Sequence, residues 1–272
     1  MADGIVEANV PNAVYHARRL GVVSKSALDW LDGKSPAHYK AWVDGLIDEE
    51  ETPALAFGSA FHCALLEPER FALEYATEPD FGDCRRKEPK QVRDAWRADN
   101  AGKISLSPDD AATIAGMVAS VKAHPLASRI LRDGQAELTV KWKDYATGVQ
   151  CKCRADYFVP KLRMVADVKS TIDASRDGFR RDVARYSYHV QDALYRAGFN
   201  AVGKQVDHFV FVSVEKTVPY AVATYSLDMA SVNRGYSAAR RGIDKMAECL
   251  ASGVWPGYPT EIQEVDAPPW AS

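Results

Sequence analysis

The chain has 272 residues and a formal net charge of -3, with 47% hydrophobic and 26% charged residues, an ordinary globular composition that can build a sizeable core. Its five cysteines are an odd number in a long chain and contain no Cys-x-x-Cys pair, which argues against a disulfide framework, a zinc ribbon and an iron–sulfur cluster. The start, Met1-Ala2-Asp3-Gly4, lacks the character of a secretory signal, and no apolar run approaches the ~18 residues that span a bilayer, so a soluble cytoplasmic protein without a membrane partner is expected.

In chain order, the first 50 residues read as helices and loops, with Ser24 and Ser35 as N-caps and Pro36 in a first helical position. Residues 54–67 are strongly apolar, stop at Pro68 and read as a buried helix. Residues 77–104 look like a long surface segment with a short helix near Lys90 to Arg97. Ser107-Pro108-Asp109-Asp110 opens a helix running to about His124, and Pro125 starts another short one. From 137 to 143 the period becomes two, with Leu138, Val140 and Trp142 apolar. A second alternating strand covers 149–159. It puts Cys151, Cys153, Ala155 and Tyr157 on one face and Lys152, Arg154 and Asp156 on the other. A third strand spans 164–170, and one long helix is expected from 175 to a stop at Gly198. Two strands, 206–214 and 220–227, and a helix, 228–251, follow. The fold class is therefore α/β, a central mixed β-sheet flanked by helices. It forms one domain with a helical N-terminal region over residues 1–133, a catalytic sheet with helices over 134–251, and an irregular tail over 252–272.

The pattern acid-x-Lys occurs at Asp32-Gly33-Lys34, Glu88-Pro89-Lys90 and Asp167-Val168-Lys169. Gly and Pro assign the first two to turns. The third lies inside an apolar strand, where a charged pair is costly to bury without a purpose. Residues two apart share a strand face, so Asp167 and Lys169 point together, and Asp156 on the neighbouring strand can join them. Two carboxylates suit an oxygen-liganded Mg2+ ion, which acidifies a bound water, and a lysine steadies the charge that develops on a phosphate. On these three residues alone, a salt-bridged polar pair at a strand end stays open. Gln191 and Tyr195, four apart in the helix that follows, share one face of it.

The ordered set Asp156, Asp167-x-Lys169 and Gln191-x-x-x-Tyr195 resembles the PD-(D/E)xK nucleases of the RecB and lambda-exonuclease group. The stretches 35–40, 58–68, 147–156 and 188–193 narrow the likeness to the RecE-type recombination exonucleases, over roughly residues 15–250. Ala155 stands where the family name has proline, and Asp167 where Glu is commoner. By that resemblance, His62, Asp156, Asp167 and the Val168 carbonyl would hold Mg2+, with Mn2+ as a substitute. Lys169 would act on the water, Gln191 would position Lys169 or the phosphate, and Tyr195 would support that helix face. Glu137 would reach a second metal or the water. The implied activity is 5′-3′ degradation of linear double-stranded DNA, leaving 3′ single strands for an annealing protein. A ring-shaped homo-oligomer, trimer or tetramer, is implied with it.

Two basic runs suit phosphate contacts within that reading: Arg85, Arg86, Lys87 and Arg93, and Arg180, Arg181 and Arg185. By themselves such runs are solvated surface. No Gly-x-x-x-x-Gly-Lys-Ser/Thr loop occurs, so no ATP dependence is expected. An endonuclease or resolvase on the same fold, and a non-catalytic DNA-binding module, are the alternatives.

Overall fold

A computed structural model describes residues 4–47 and 52–266. Residues 267–272 of the expected tail lie outside the described residues. The central sheet has the order β1-β5-β6-β7-β8-β9: Ile5–Glu7, Gln135–Lys143, Gln150–Val159, Met164–Thr171, His208–Glu215 and Val222–Tyr225. A short β2 (Val22–Val23) pairs with β6. β5, β6 and β7 run antiparallel in succession, whereas β7 and β8 are parallel, so the sheet is mixed as expected.

A parallel pair needs a crossover connection. Here it is helical and in two pieces, α9 (Arg176–Arg185) and α10 (Tyr188–Ala201), rather than the single helix the sequence suggests. Ser187, at φ 52°, breaks it in a left-handed conformation that a serine seldom adopts, and no composition signal marks it. Nor does the second piece stop at Gly198. That glycine is buried, and a Cβ there would stand 2.4 Å from the Trp142 ring, so close packing, not capping, demands it.

Two layers sandwich the sheet. On one side α10 packs with α2 (Lys25–Leu31), α3 (Pro36–Val43) and α11 (Met229–Ser252) over Val165, Phe209 and Phe211. On the other, α4 (Pro53–Leu66) and α7 (Pro108–Ala123) cover Val168, Val212 and Val214. Caps fix several of these starts: Ser24, Ser35, Thr52 and Ser107 each accept a first-turn backbone N–H. The 77–104 segment is more ordered than expected. α6 (Lys87–Asp99) bridges β3 (Tyr75–Thr77) and β4 (Ile104–Leu106), a parallel pair whose strands are too short to show alternation.

Alternation along β6 also slips. Cys151, Cys153 and Ala155 face the α10 layer, and so does Phe158, but Tyr157 packs with Met164 and Ala166 on the opposite side. Tyr157 therefore does not share the face of Cys151, Cys153 and Ala155, as simple period two requires. The phase turns over at Asp156.

α10 and α11 cross closely at Gly235, where a Cβ would lie 2.0 Å from the His189 carbonyl oxygen. Backbone cannot retreat as a flexible side chain does. Gly235→Ala is expected to cost about 1–3 kcal/mol, read as a lower urea midpoint at unchanged slope.

Candidate active site

The phase slip coincides with a gap in the hydrogen-bond ladder. β5 pairs with β6 at Ala136–Tyr157 and at Leu138–Ala155, while Glu137 and Asp156, opposite one another between them, form no ladder pair. Glu137 sits at φ 50°, which turns it out of the strand conformation. On the other edge of β6, pairing with β7 ends at Tyr157–Ala166, so Asp156 and Asp167, next in register, are also unpaired. The Asp156 carboxylate takes over the missing bond: its Oδ2 accepts from the Val168 backbone N–H at 2.8 Å. The sheet thus forks where three acidic residues, Glu137, Asp156 and Asp167, stand side by side in register.

α4 delivers the next group. His62 brings Nδ1 to 3.4 Å from Asp156 Oδ2. One ligand atom each from His62, Glu137 and Asp156 lies within 4.8 Å of the other two. These three are partly exposed, so the cluster opens to solvent. The Arg154 guanidinium lies 2.9 Å from Glu137 and stacks over the Tyr15 ring at 4.2 Å. Burial, reinforced by the neighbouring Asp156 charge, pushes the Glu137 carboxyl up to about 7 in spite of Arg154.

Asp167 points to the α10 layer instead. It is 1% exposed, and its Oδ1 lies 2.5 Å from the Lys169 ammonium. Gln191 joins the two: its amide nitrogen donates to Asp167 Oδ2 at 2.5 Å and its carbonyl accepts from Lys169 at 3.1 Å. Only this orientation of the amide matches both charges, since a flip would set oxygen against carboxylate. Burial disfavours the Lys169 charge, yet Asp167 and Asp156 raise its pKa above the ordinary lysine value. Burial likewise pushes the Asp167 carboxyl up. The Tyr188 ring faces the ammonium at 4.6 Å.

The expected site residues therefore divide. His62, Asp156 and Glu137 gather on one side of the fork, and Asp167, Lys169 and Gln191 form a bonded network on the other, with the Val168 N–H tied to Asp156. Tyr195 is a buried core residue, edge-on to Phe209 at 6.0 Å. Arg85, Arg86 and Lys87 are exposed ahead of and at the start of α6; Arg93 is half-buried and pairs with Asp94 at 2.8 Å. Arg180, Arg181 and Arg185 are exposed on α9, with Arg181 2.8 Å from Asp173. Sequence reasoning missed three contacts: Arg154 on Glu137, Tyr188 on Lys169, and Tyr15 beneath Arg154. Only Arg154 carried a signal, two residues before Asp156 on an alternating strand.

Residues 24–268 match the family model described as "PDDEXK-like domain of unknown function (DUF3799)". The chain belongs to this family. The match supports a nuclease, and this PDDEXK-like domain shares its fold with a candidate exonuclease from Eubacterium rectale. That likeness has TM-score 0.63 and 11% identity, over 96% of this chain and 97% of the other. A phage-related exonuclease from Haemophilus somnus 129PT matches at TM-score 0.33 and 11% identity, over 65% of this chain and 91% of that one, too slight to support an argument. No curated protein matches.

A divalent cation suits the donor set. One imidazole and two carboxylates converge with Arg154 as their nearby counter-charge, and Asp167 Oδ1 is a buried acceptor with no hydrogen bond of good geometry. Because Glu137 is protonated more readily in the folded state than in the unfolded one, the metal-free protein loses stability as pH rises from about 4.5 to about 7. Glu137→Gln removes that loss. The metal-free variant should melt above wild type at pH 8, by at most about 3 kcal/mol, and the difference should vanish near pH 4.5. Addition of Mg2+ should stabilise wild type more than the variant.

Proposed function

We propose that this PDDEXK-like domain is a metal-dependent deoxyribonuclease, a 5′-3′ exonuclease that resects linear double-stranded DNA and leaves 3′ single strands. The juxtaposition of the His62–Glu137–Asp156 cluster with the Asp167–Lys169–Gln191 network, across one fork in the sheet, carries this reading. His62, Glu137 and Asp156 would hold Mg2+ or Mn2+, with Asp167 and the Val168 carbonyl as further candidate ligands. The bound cation supplies an acidified water and stabilises negative charge on the phosphate.

The chain's own residues do the rest. Lys169 stays charged because Asp167 and Asp156 favour its ammonium form, so it donates to the attacking oxygen or to the phosphate as charge builds. Gln191 restrains that ammonium by a directional bond, and Tyr188 covers one side of it. Arg154 keeps Glu137 aimed at the cluster. Arg85, Arg86, Lys87 and Arg93, with Arg180, Arg181 and Arg185, contact backbone phosphates. The protein works in the cytoplasm as one domain per chain, in a trimeric or tetrameric ring, and hands its 3′ strands to a single-strand annealing protein in recombination.

Among the described residues no helix is long and apolar enough to cross a membrane. The decisive assay digests 5′-labelled linear duplex and closed circular DNA, with Mg2+ and with EDTA. Linear DNA should be degraded only with the cation, and circles spared. Cutting of circles at an equal rate makes the protein an endonuclease, and no cutting under any condition leaves a DNA-binding module. Lys169→Met should slow cleavage by about 10²–10³-fold with metal affinity retained, and Asp167→Ala should abolish it. An Asp167→Ala variant that cuts as wild type does would remove the assigned centre.

A further inference from the structure

The segment between β1 and β2 is a strap. β1 pairs with the outer edge of β5, and β2 pairs with the opposite edge of β6, so residues 8–21 cross the face of the β5–β6 hairpin. Two side chains on that face hold it. Lys152 donates to the Tyr15 carbonyl, and Arg154 to the Val10 carbonyl. The strap leaves a cavity of about 470 Å³ against the hairpin, lined by Tyr15, Arg19, Lys141, Trp142, Lys143 and Lys152 among others.

The lining is lopsided. Four cations surround one space, and Lys141 alone has a carboxylate partner, Glu7. Among the described residues the side chains of Arg19 and Lys143 have no ion-pair or hydrogen-bond partner, and both are exposed. Burial pushes Lys152 down to about 8, and the like charges of Arg19, Lys141 and Arg154 push the same way. Such a cluster is relieved by an anion. The remaining wall is apolar, with Ile5, Val10 and Val14 beside Tyr15, while the Trp142 ring faces α10 on the other side of the sheet.

We infer that the strap cavity is a nucleotide subsite, with a phosphate on Arg19, Lys143 and Lys152 and the rest of the nucleotide against Val10, Val14 and Tyr15. The volume falls in the range of small-ligand pockets. Its position connects it to the chemistry. Lys152 and Asp156 are four residues apart on β6, about 13 Å along a strand, which matches about four nucleotides of axial rise. Tyr15 lines the cavity and carries Arg154, the partner of Glu137. A strand held in the cavity is thereby led to the fork. These cations lie outside the two basic runs of α6 and α9, and the inference rests on the nuclease reading above.

The test uses the full chain in EDTA, so that a fluorescein-labelled 12-nucleotide single strand stays intact, and reads its anisotropy. The double variant Arg19→Glu/Lys143→Glu changes two exposed, unpaired side chains and should keep the wild-type melting temperature. It should weaken the oligonucleotide at least tenfold at 150 mM salt, and reduce the salt slope by about 1.4, from about 0.7 per phosphate neutralised. The control Lys122→Glu, on α7, should bind as wild type. Deoxyadenosine monophosphate as competitor separates the two sources of the group. Loss of oligonucleotide binding in the variant marks a nucleotide within a strand, and loss of mononucleotide binding alone marks a free nucleotide. A variant that binds both probes as wild type does overturns the subsite. Failure of the wild type to cut DNA with Mg2+ removes the nuclease reading, while charge-dependent binding of either probe would still locate the subsite.

Discussion

Everything at the centre of this fold depends on one hydrogen bond that a side chain makes in place of the backbone. Where β6 should continue its ladder with β7, Asp156 Oδ2 accepts the Val168 N–H, and the two strands part. An unpaired buried N–H costs about 1–3 kcal/mol, so the sheet can open here only because a carboxylate satisfies the donor. The same opening leaves Glu137 facing Asp156 without a ladder pair. A regular sheet would hold these directly opposed acidic groups together on one face. The fork brings Asp156 and Glu137 towards His62 on the α4 side, while Asp167 turns to Gln191 on the other.

Electrostatic strain in the cluster is handled by distribution. Asp167, nearly wholly buried, has Lys169 and Gln191 at hand. Glu137 has Arg154, itself anchored over Tyr15. His62 and Asp156 share the more open side. What remains is a surplus of negative charge that burial raises in energy, which is the condition a hard cation relieves. The family match and this chemistry therefore agree from independent directions.

Much of this was legible in the residues. Asp167-Val168-Lys169 stood out because charge inside an apolar strand needs a reason, and Gln191 because its helix follows that strand. The serine caps and the strand cores were equally plain, being local. The rest depended on pairing. That Glu137 lies opposite Asp156 follows only from the β5–β6 register, and the slip that sends Tyr157 to the far face is invisible to any single-strand period. The break at Ser187 is set by how α9 and α10 pack, with Lys25 donating to the Tyr186 carbonyl at 3.0 Å where α9 ends. The three-residue strands β3 and β4 are too short to carry a pattern at all.

The two-layer origin of the cluster has a mechanical corollary. His62 travels with α4 and Gln191 with α10, on opposite sides of a sheet that is locally unzipped between them. Their separation works as a caliper on the thickness of the whole sandwich. Repacking either hydrophobic slab, far from any polar group, shifts one jaw against the other. In this architecture the tuning of chemistry is written into aliphatic side chains that never touch a substrate.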